Sequence, residues 1–539
     1  MKKPLVLIIT ILILSIPAFS LMLRPGIYTM HDPHVFRLQQ FDKCIQNLTF
    51  PCRWASDSGK GYGEPLFNFY GQFPYWIGES IHLIGFSILD TAKLMFILTI
   101  TLSGMAMFFL SRRFWGNAGG VVSAIFYMYA PYRAVDLWVR GALNESLAFV
   151  FFPLIFLFLD LYIQKPKTKY LIALSLTLAG LITTHNLSVM MFAPFMLVWW
   201  LFRCLQLRSF KSFLGLLLAA ITSLFMSAYY LLPVALESKY ITIAKTTQGY
   251  YDYKAHFTSL NQLFVSNFWG YGGSTWGPND TMSFSVGYLH WILPIIIIII
   301  LAFKYFTSSP SHRLGEGNAR GEVLVKTLIF SSLALFSIFL THNKSIFIWT
   351  HIPPMAYIQF PWRFLTMAVL FLSLACGAAS LVISKKILSI LITLIILVNF
   401  SFYHPDIWRS ITDKEQFSGA LWDEGRSTSL QDFWPVFGSD QPTSFAPTSP
   451  EVVIRTNDYQ KIRYPIVYFP GWIAKVDNRI TPVFPDGKLG LITLRVPLNY
   501  SQITLKFVNT WPRTMGNYIS LFTLAGLTLW YFSKNHSPS

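Results

Sequence analysis

The sequence predicts an all-α polytopic membrane bundle with a small extracytoplasmic β-sandwich near its C-terminus. Its apolar runs of bilayer-crossing length suggest about 12 transmembrane helices. Composition and run length predict the bundle. Of 539 residues, 53% are hydrophobic and only 12% charged, where a soluble domain carries about 25% charged residues, and mean hydropathy is +0.47. Runs of about 18–20 apolar residues, enough to cross the hydrocarbon core, recur from end to end. A change of period predicts the sandwich: after residue 403, "EVVIRT", "YPIVYFPGW", "LITLRVP" and "QITLKFV" are punctuated by Gly and Pro. Ile503, Leu505 and Phe507 alternate as in half-buried strands.

The spans are placed near 5–23, 88–110, 117–131, 146–163, 169–184, 187–204, 212–236, 288–305, 324–341, 364–383, 386–402 and 515–532. The first begins at "MKKPLVL". Its apolar stretch is long for a signal-peptide core, and "SLMLRPG" is a poor cleavage site, so it is read as a retained span. Loop charge tests the orientation. With Lys2 and Lys3 inside, the inner loops hold Arg112 and Arg113, Lys165 and Lys167, then Arg203, Arg208 and Lys211. They continue with Lys304, Arg313 and Arg320, Lys385 and Lys386, and Lys534. Every short inner loop is basic, as the positive-inside rule requires, and both termini fall in the cytoplasm of a cell inner (plasma) membrane. The expected organisation is a transmembrane domain over 1–402 with large outer loops at about 24–87 and 237–287. An extracytoplasmic β-rich domain covers 403–514, and a last helix with a cytoplasmic tail covers 515–539.

The net charge of +17 is accounted for by those loops. No Gly-rich phosphate loop, nucleotide-cofactor motif, zinc-type cysteine spacing or nucleic-acid motif is present, so the expected partner is the lipid bilayer and not a nucleic acid. The spans carry almost no charge near their centres, and Asp160 sits near an inner end. That argues against an ion-coupled transporter, which needs polar groups at the midplane.

The polar residues gather instead where spans meet the outer surface. "YTMHDPHVFRLQQF" sets His31, Asp32, His34 and Arg37 directly after the first span. "GKGYGEPLFNFYGQFPYW" carries Glu64 in the same loop. In "PYRAVDLWVRGALNES", a helix would put Arg133, Asp136 and Arg140 on one face, at i, i+3 and i+7. Two guanidiniums there suit phosphate, which Arg grips through a planar fork; a salt-bridged wet face is the plainer alternative. His185 stands with Asn186 in a tight turn between spans, as hairpin cap or as site residue. Arg363 in "QFPWRF" begins a span, where it is a ligand group or a snorkelling anchor. The aromatics of "QGYYDYKAHF" and "NFWGYGGSTWGP" are sugar platforms or an interfacial belt. Cys44 and Cys52 share the first outer loop and either form a disulfide or remain two thiols.

Segments of this sequence resemble a family. A first span followed closely by an acidic residue is similar to the GT-C superfamily of membrane glycosyltransferases. "HDPHVFRLQQF", "GYGEPLFNFYGQFPYW", "THN", "QFPWRF" and "YFPGWIAKVDN" resemble a bacterial subgroup, the 6-pyruvoyl-tetrahydropterin-synthase-related and YfhO-like membrane proteins. The resemblance covers most of the chain, and no pterin chemistry is visible in it. It implies a GT-C-like bundle and an enzyme that moves a sugar from a polyprenyl-phosphate donor to an extracytoplasmic glycan, lipid or protein acceptor. It implies that Asp32 is the catalytic carboxylate; a helix-capping or turn role is the alternative. His31, His34, Arg37, Glu64, Arg133, Asp136, Arg140, His185 and Arg363 are then the substrate-binding candidates. This sequence has "HDP" in place of an Asp-x-Asp, so a divalent metal is left open. A lipid-linked-sugar flippase and a non-catalytic envelope scaffold are the competing functions.

Overall fold

The computed structural model describes residues 2–207, 211–267, 270, 274, 282–307, 316–427, 433–500 and 502–536. Arg208 and Arg313 of the expected inner loops, and most of "NFWGYGGSTWGP", lie outside the described residues. The described chain is mostly helical. By length and composition, 8 helices can cross a membrane: Leu5–Leu23, Ile88–Met128, Leu143–Gln164, Asn186–Leu207, Tyr288–Phe306, Arg320–Thr341, Pro361–Leu381 and Lys385–Phe402. Phe213–Met226 and Ala228–Tyr240, bent by 73°, make up to 9 if they form one span. The expected count of about 12 is therefore not confirmed. Thr168–Thr184 is apolar but short, and the C-terminal helix Trp511–His536 is not among the eight.

One of the eight is two helices in a single stretch. Ile88–Met128 breaks at Gly116, where φ is +71° and ψ −174°. Ser111 Oγ lies 2.6 Å from Ser123 Oγ, although 12 residues of straight helix rise about 18 Å. The chain therefore doubles back as a hairpin, as the separate expected spans at 88–110 and 117–131 require.

The chain divides into two compact units. The first comprises Met1–Asp32, Asp90–Ala220 and Tyr250–Ser410. Within it, buried Asp160 accepts from Arg113 Nε at 3.0 Å and from Arg203 Nε at 2.7 Å. One carboxylate thus ties the turn of the hairpin to the helices Leu143–Gln164 and Asn186–Leu207. Strands β1 (Ile27–Tyr28) and β2 (Trp408–Arg409) pair antiparallel.

The second unit comprises Pro33–Leu89, Ile221–Gly249 and Ile411–Ser539. It holds β3 (Glu451–Arg455), β4 (Tyr459–Val467), β5 (Trp472–Val476), β6 (Arg479–Thr481), β7 (Phe484–Asp486), β8 (Leu491–Pro497) and β9 (Ile503–Phe507). They form two antiparallel sheets, β3-β4-β8-β7 and β6-β5-β9. Ile462, Leu494 and Val496 of one sheet pack with Ala474 and Val476 of the other, which makes a small sandwich core. Asp477 and Asn478, both with positive φ, turn the β5–β6 hairpin, the backbone that a tight two-residue loop demands. Elsewhere in this unit a disulfide joins Cys44 to Cys52, with Cα atoms 5.8 Å apart. Glu237 is held by Arg513 Nε at 2.9 Å and Asn68 Nδ2 at 2.7 Å.

Candidate active site

Asp32 ends the first segment of the first unit, and that segment is fastened down along its length. The Tyr28 hydroxyl donates to Leu137 O at 2.7 Å, and its ring packs 4.9 Å from that of Trp138. Gly141, at φ +62°, lies so close to Met30 that a Cβ there would meet Met30 Cβ at 2.5 Å. The Asp32 N–H donates to Arg140 O at 2.9 Å. The carboxylate of "HDP" is thereby held beside "VDLWVRGALNES". His31 is exposed and Asp32 half-buried.

The segment Val135–Arg140 is a π-helix and not the α-helix expected. Its wider i→i+5 bonding changes which side chains share a face. Asp136 and Arg140 still meet: Arg140 Nη1 donates to Asp136 Oδ1 at 2.6 Å and to Glu145 Oε2 at 2.7 Å. Arg133 is used differently. Its guanidinium stacks 4.0 Å over Phe149 and donates to Ser146 O and Thr99 O, both at 3.3 Å.

Glu145 is the hub. Its Oε1 accepts from the Tyr132 hydroxyl at 2.7 Å and from Thr366 Oγ1 at 3.2 Å. Its Oε2 lies 3.8 Å from Arg363 Nε. Asn144 Nδ2 donates to Thr184 O at 2.7 Å, which anchors the "THN" turn, and His185 Nδ1 sits 2.7 Å from Ser188 Oγ. Burial first, and then the neighbouring Glu145 charge, push the Asp136 carboxyl well above the usual carboxylate range. Burial lowers the His185 imidazole from 6.5 to about 4, against the pull of Glu145 and Asp32. Burial works against the Arg140 charge, but Glu145, Asp136 and Asp32 outweigh it and hold Arg140 firmly protonated. Asp32, Asp136, Arg140, Glu145, His185 and Arg363 thus form one electrostatic cluster within the first unit.

His34, Arg37 and Glu64 belong to the second unit. His34 Nδ1 is 2.8 Å from the Tyr75 hydroxyl, Arg37 lies 4.1 Å over Tyr70, and the buried Glu64 accepts from Ser58 Oγ at 2.5 Å. Among the described residues, no group of three or more His, Cys, Asp or Glu side chains is arranged to hold a metal ion.

Residues 67–407 match the family model of the 6-pyruvoyl-tetrahydropterin synthase related domain, described as a membrane protein. The match covers more than half of the sequence. The chain belongs to this family of membrane proteins. No curated protein matches it. Solved structures give distant likenesses. One is the mycobacterial arabinofuranosyltransferase AftD, 15% identical with a TM-score of 0.43, where 74% of this chain aligns with 26% of that one. The chain therefore spans about a quarter of that protein. Another is the oligosaccharyltransferase of Archaeoglobus fulgidus tethered to an acceptor peptide, 11% identical with a TM-score of 0.40 and coverages of 84% and 61%. A third is ArnT of Cupriavidus metallidurans bound to undecaprenyl phosphate, 11% identical with a TM-score of 0.34 and coverages of 92% and 98%.

In this member of the family, the match takes in Asp136, Arg140, Glu145, His185 and Arg363, while Asp32 lies before it. Sequence reasoning passed over Glu145, Tyr132 and Thr366. Glu145 stands inside "PYRAVDLWVRGALNES", and its signal was a carboxylate one residue before the span expected at 146–163. Tyr132 and Thr366 carry no signal in spacing at all.

Proposed function

We propose that this membrane protein is a GT-C-type glycosyltransferase that moves a sugar from a polyprenyl-phosphate donor to an extracytoplasmic acceptor. What supports this reading is one observation: a carboxylate, Asp32, tethered through its backbone to Arg140 at the edge of a buried cationic cluster. Such a pair provides the two things the reaction needs. As the acceptor hydroxyl oxygen attacks the anomeric carbon, Asp32 takes its proton. As the bond from that carbon to the phosphate oxygen breaks, the polyprenyl phosphate gains charge, and Arg140 and Arg363 stabilise it. Glu145 holds both guanidiniums in place. Asp136, whose carboxyl is pushed upward by burial and by Glu145, offsets less of the Arg140 charge than Glu145 does. His185, lowered by burial to about 4, adds no positive charge beside either Arg near pH 7.

The proposed setting is a bacterial inner membrane with both termini in the cytoplasm and residues 403–514 outside, and the basic inner loops support that orientation. The donor panel is the test. The full-length protein in lipid nanodiscs is incubated with polyprenyl-phosphate sugars of differing headgroup, and released polyprenyl phosphate is followed. Sugar-dependent release with at least one donor supports the reading. Movement of intact donor across a liposome membrane without release would favour a flippase instead.

A further inference from the structure

The loop that delivers Arg363 carries backbone strain. Phe360 N–H donates to Ile358 O at 2.7 Å, and Gln359 between them has φ +66° and ψ −46°. This is the positive-φ γ-turn, the rare and strained form. Among the described residues of the first unit, Gln359 is the one non-glycine with positive φ. Glycine would adopt this backbone freely. The chain has a glutamine here, and its side chain is used: Gln359 Oε1 accepts from Arg363 Nη1 at 3.1 Å. The same Nη1 donates to Ile358 O at 2.7 Å, the carbonyl that closes the turn. Arg363 is thus gripped at one nitrogen from two sides, while its Nε forms no hydrogen bond and stands 3.8 Å from Glu145 Oε2. Phe360 flanks the guanidinium at 5.0 Å.

We propose that Gln359 is a positioning residue: its strained turn and side-chain carbonyl hold Arg363 at Nη1, so that the guanidinium is fixed beside Glu145 in the orientation that receives the phosphate of a lipid-linked donor. Strain of this kind persists only where the surroundings over-determine it, and it concentrates at ligand-binding sites. The inference rests on the glycosyltransferase reading for the identity of the ligand, but not for the grip on Arg363.

Two readouts on the full-length protein in nanodiscs separate those parts. Gln359→Gly removes both strain and carbonyl. Its thermal midpoint should equal or exceed that of wild type. Modification of Arg363 by phenylglyoxal, read by mass spectrometry without ligand, should rise severalfold. Affinity for a polyprenyl monophosphate should fall about tenfold. Gln359→Glu keeps an acceptor at the same reach and should keep Arg363 protected. A Gly variant with wild-type Arg363 reactivity and wild-type lipid-phosphate affinity overturns the proposal. So does a Glu variant that leaves Arg363 as reactive as the Gly variant does. Wild-type protein that binds no polyprenyl phosphate overturns the donor reading, and the phenylglyoxal result then stands or falls separately.

Discussion

Two buried carboxylates, Asp136 and Glu145, share Arg140 Nη1 at 2.6 and 2.7 Å, but they do not carry charge equally. Asp136 is pushed up by burial and by Glu145, and its Oδ2 has no hydrogen-bond partner. Asp136→Asn keeps the acceptor for Arg140 and should change stability by less than about 1 kcal/mol. Glu145→Gln removes the charge that pairs two buried guanidiniums and should cost about 3–5 kcal/mol. Denaturation of both variants in one detergent checks the order; the reverse order contradicts the charge assignment. His185 adds a pH dependence. Its folded-state value, about 4, lies below the ordinary 6.5, so the unfolded chain binds more protons between those values. The stability it contributes is present above 6.5 and is lost as pH falls toward 4. The decline of thermal midpoint from pH 7 to pH 4 should be shallower in His185→Gln than in wild type. At this scale the sequence exposed ionisable residues at span ends, because charge is conspicuous in an apolar chain. It could not show that Arg133 turns to Phe149 and backbone carbonyls, since that depends on which neighbouring helices pack around it and not on spacing within its own segment.

Among the elements, the hairpin of Ile88–Met128 depends on one backbone conformation. Gly116, at φ +71° and ψ −174°, occupies a region essentially reserved for glycine. A Cβ there meets nothing within 4 Å, so Gly116→Ala tests the backbone alone and should cost about 1–3 kcal/mol. Unchanged stability of Gly116→Ala would mean that the turn relaxes freely. Strands were legible for a related reason: Ile503, Leu505 and Phe507 are half-buried while Thr504 and Lys506 are exposed, and a period of two is hard to mistake. The number of spans was less legible. Hydropathy finds apolar runs, but a 73° bend within Phe213–Tyr240 leaves no trace in a window average.

For the whole molecule, the proposed orientation rests on loop charge and membrane character on length and composition, and the two have different tests. Single cysteines introduced at exposed positions of 451–480, in intact cells, should react with a membrane-impermeant thiol reagent. Protection there, with labelling at Arg112 or Lys165 positions, would invert the proposed topology and place Asp32 on the wrong side for a lipid-linked donor. Asp32 is proposed as the base of a sugar transfer. That role is tested most directly by the transfer rate of Asp32→Asn beside its donor affinity. Asp32→Asn should be normally expressed and folded, bind polyprenyl-phosphate sugar as wild type does and transfer it about 10²–10⁴-fold more slowly. Near-normal transfer would contradict that role, because Asn replaces Asp well in a cap or turn but cannot take a proton.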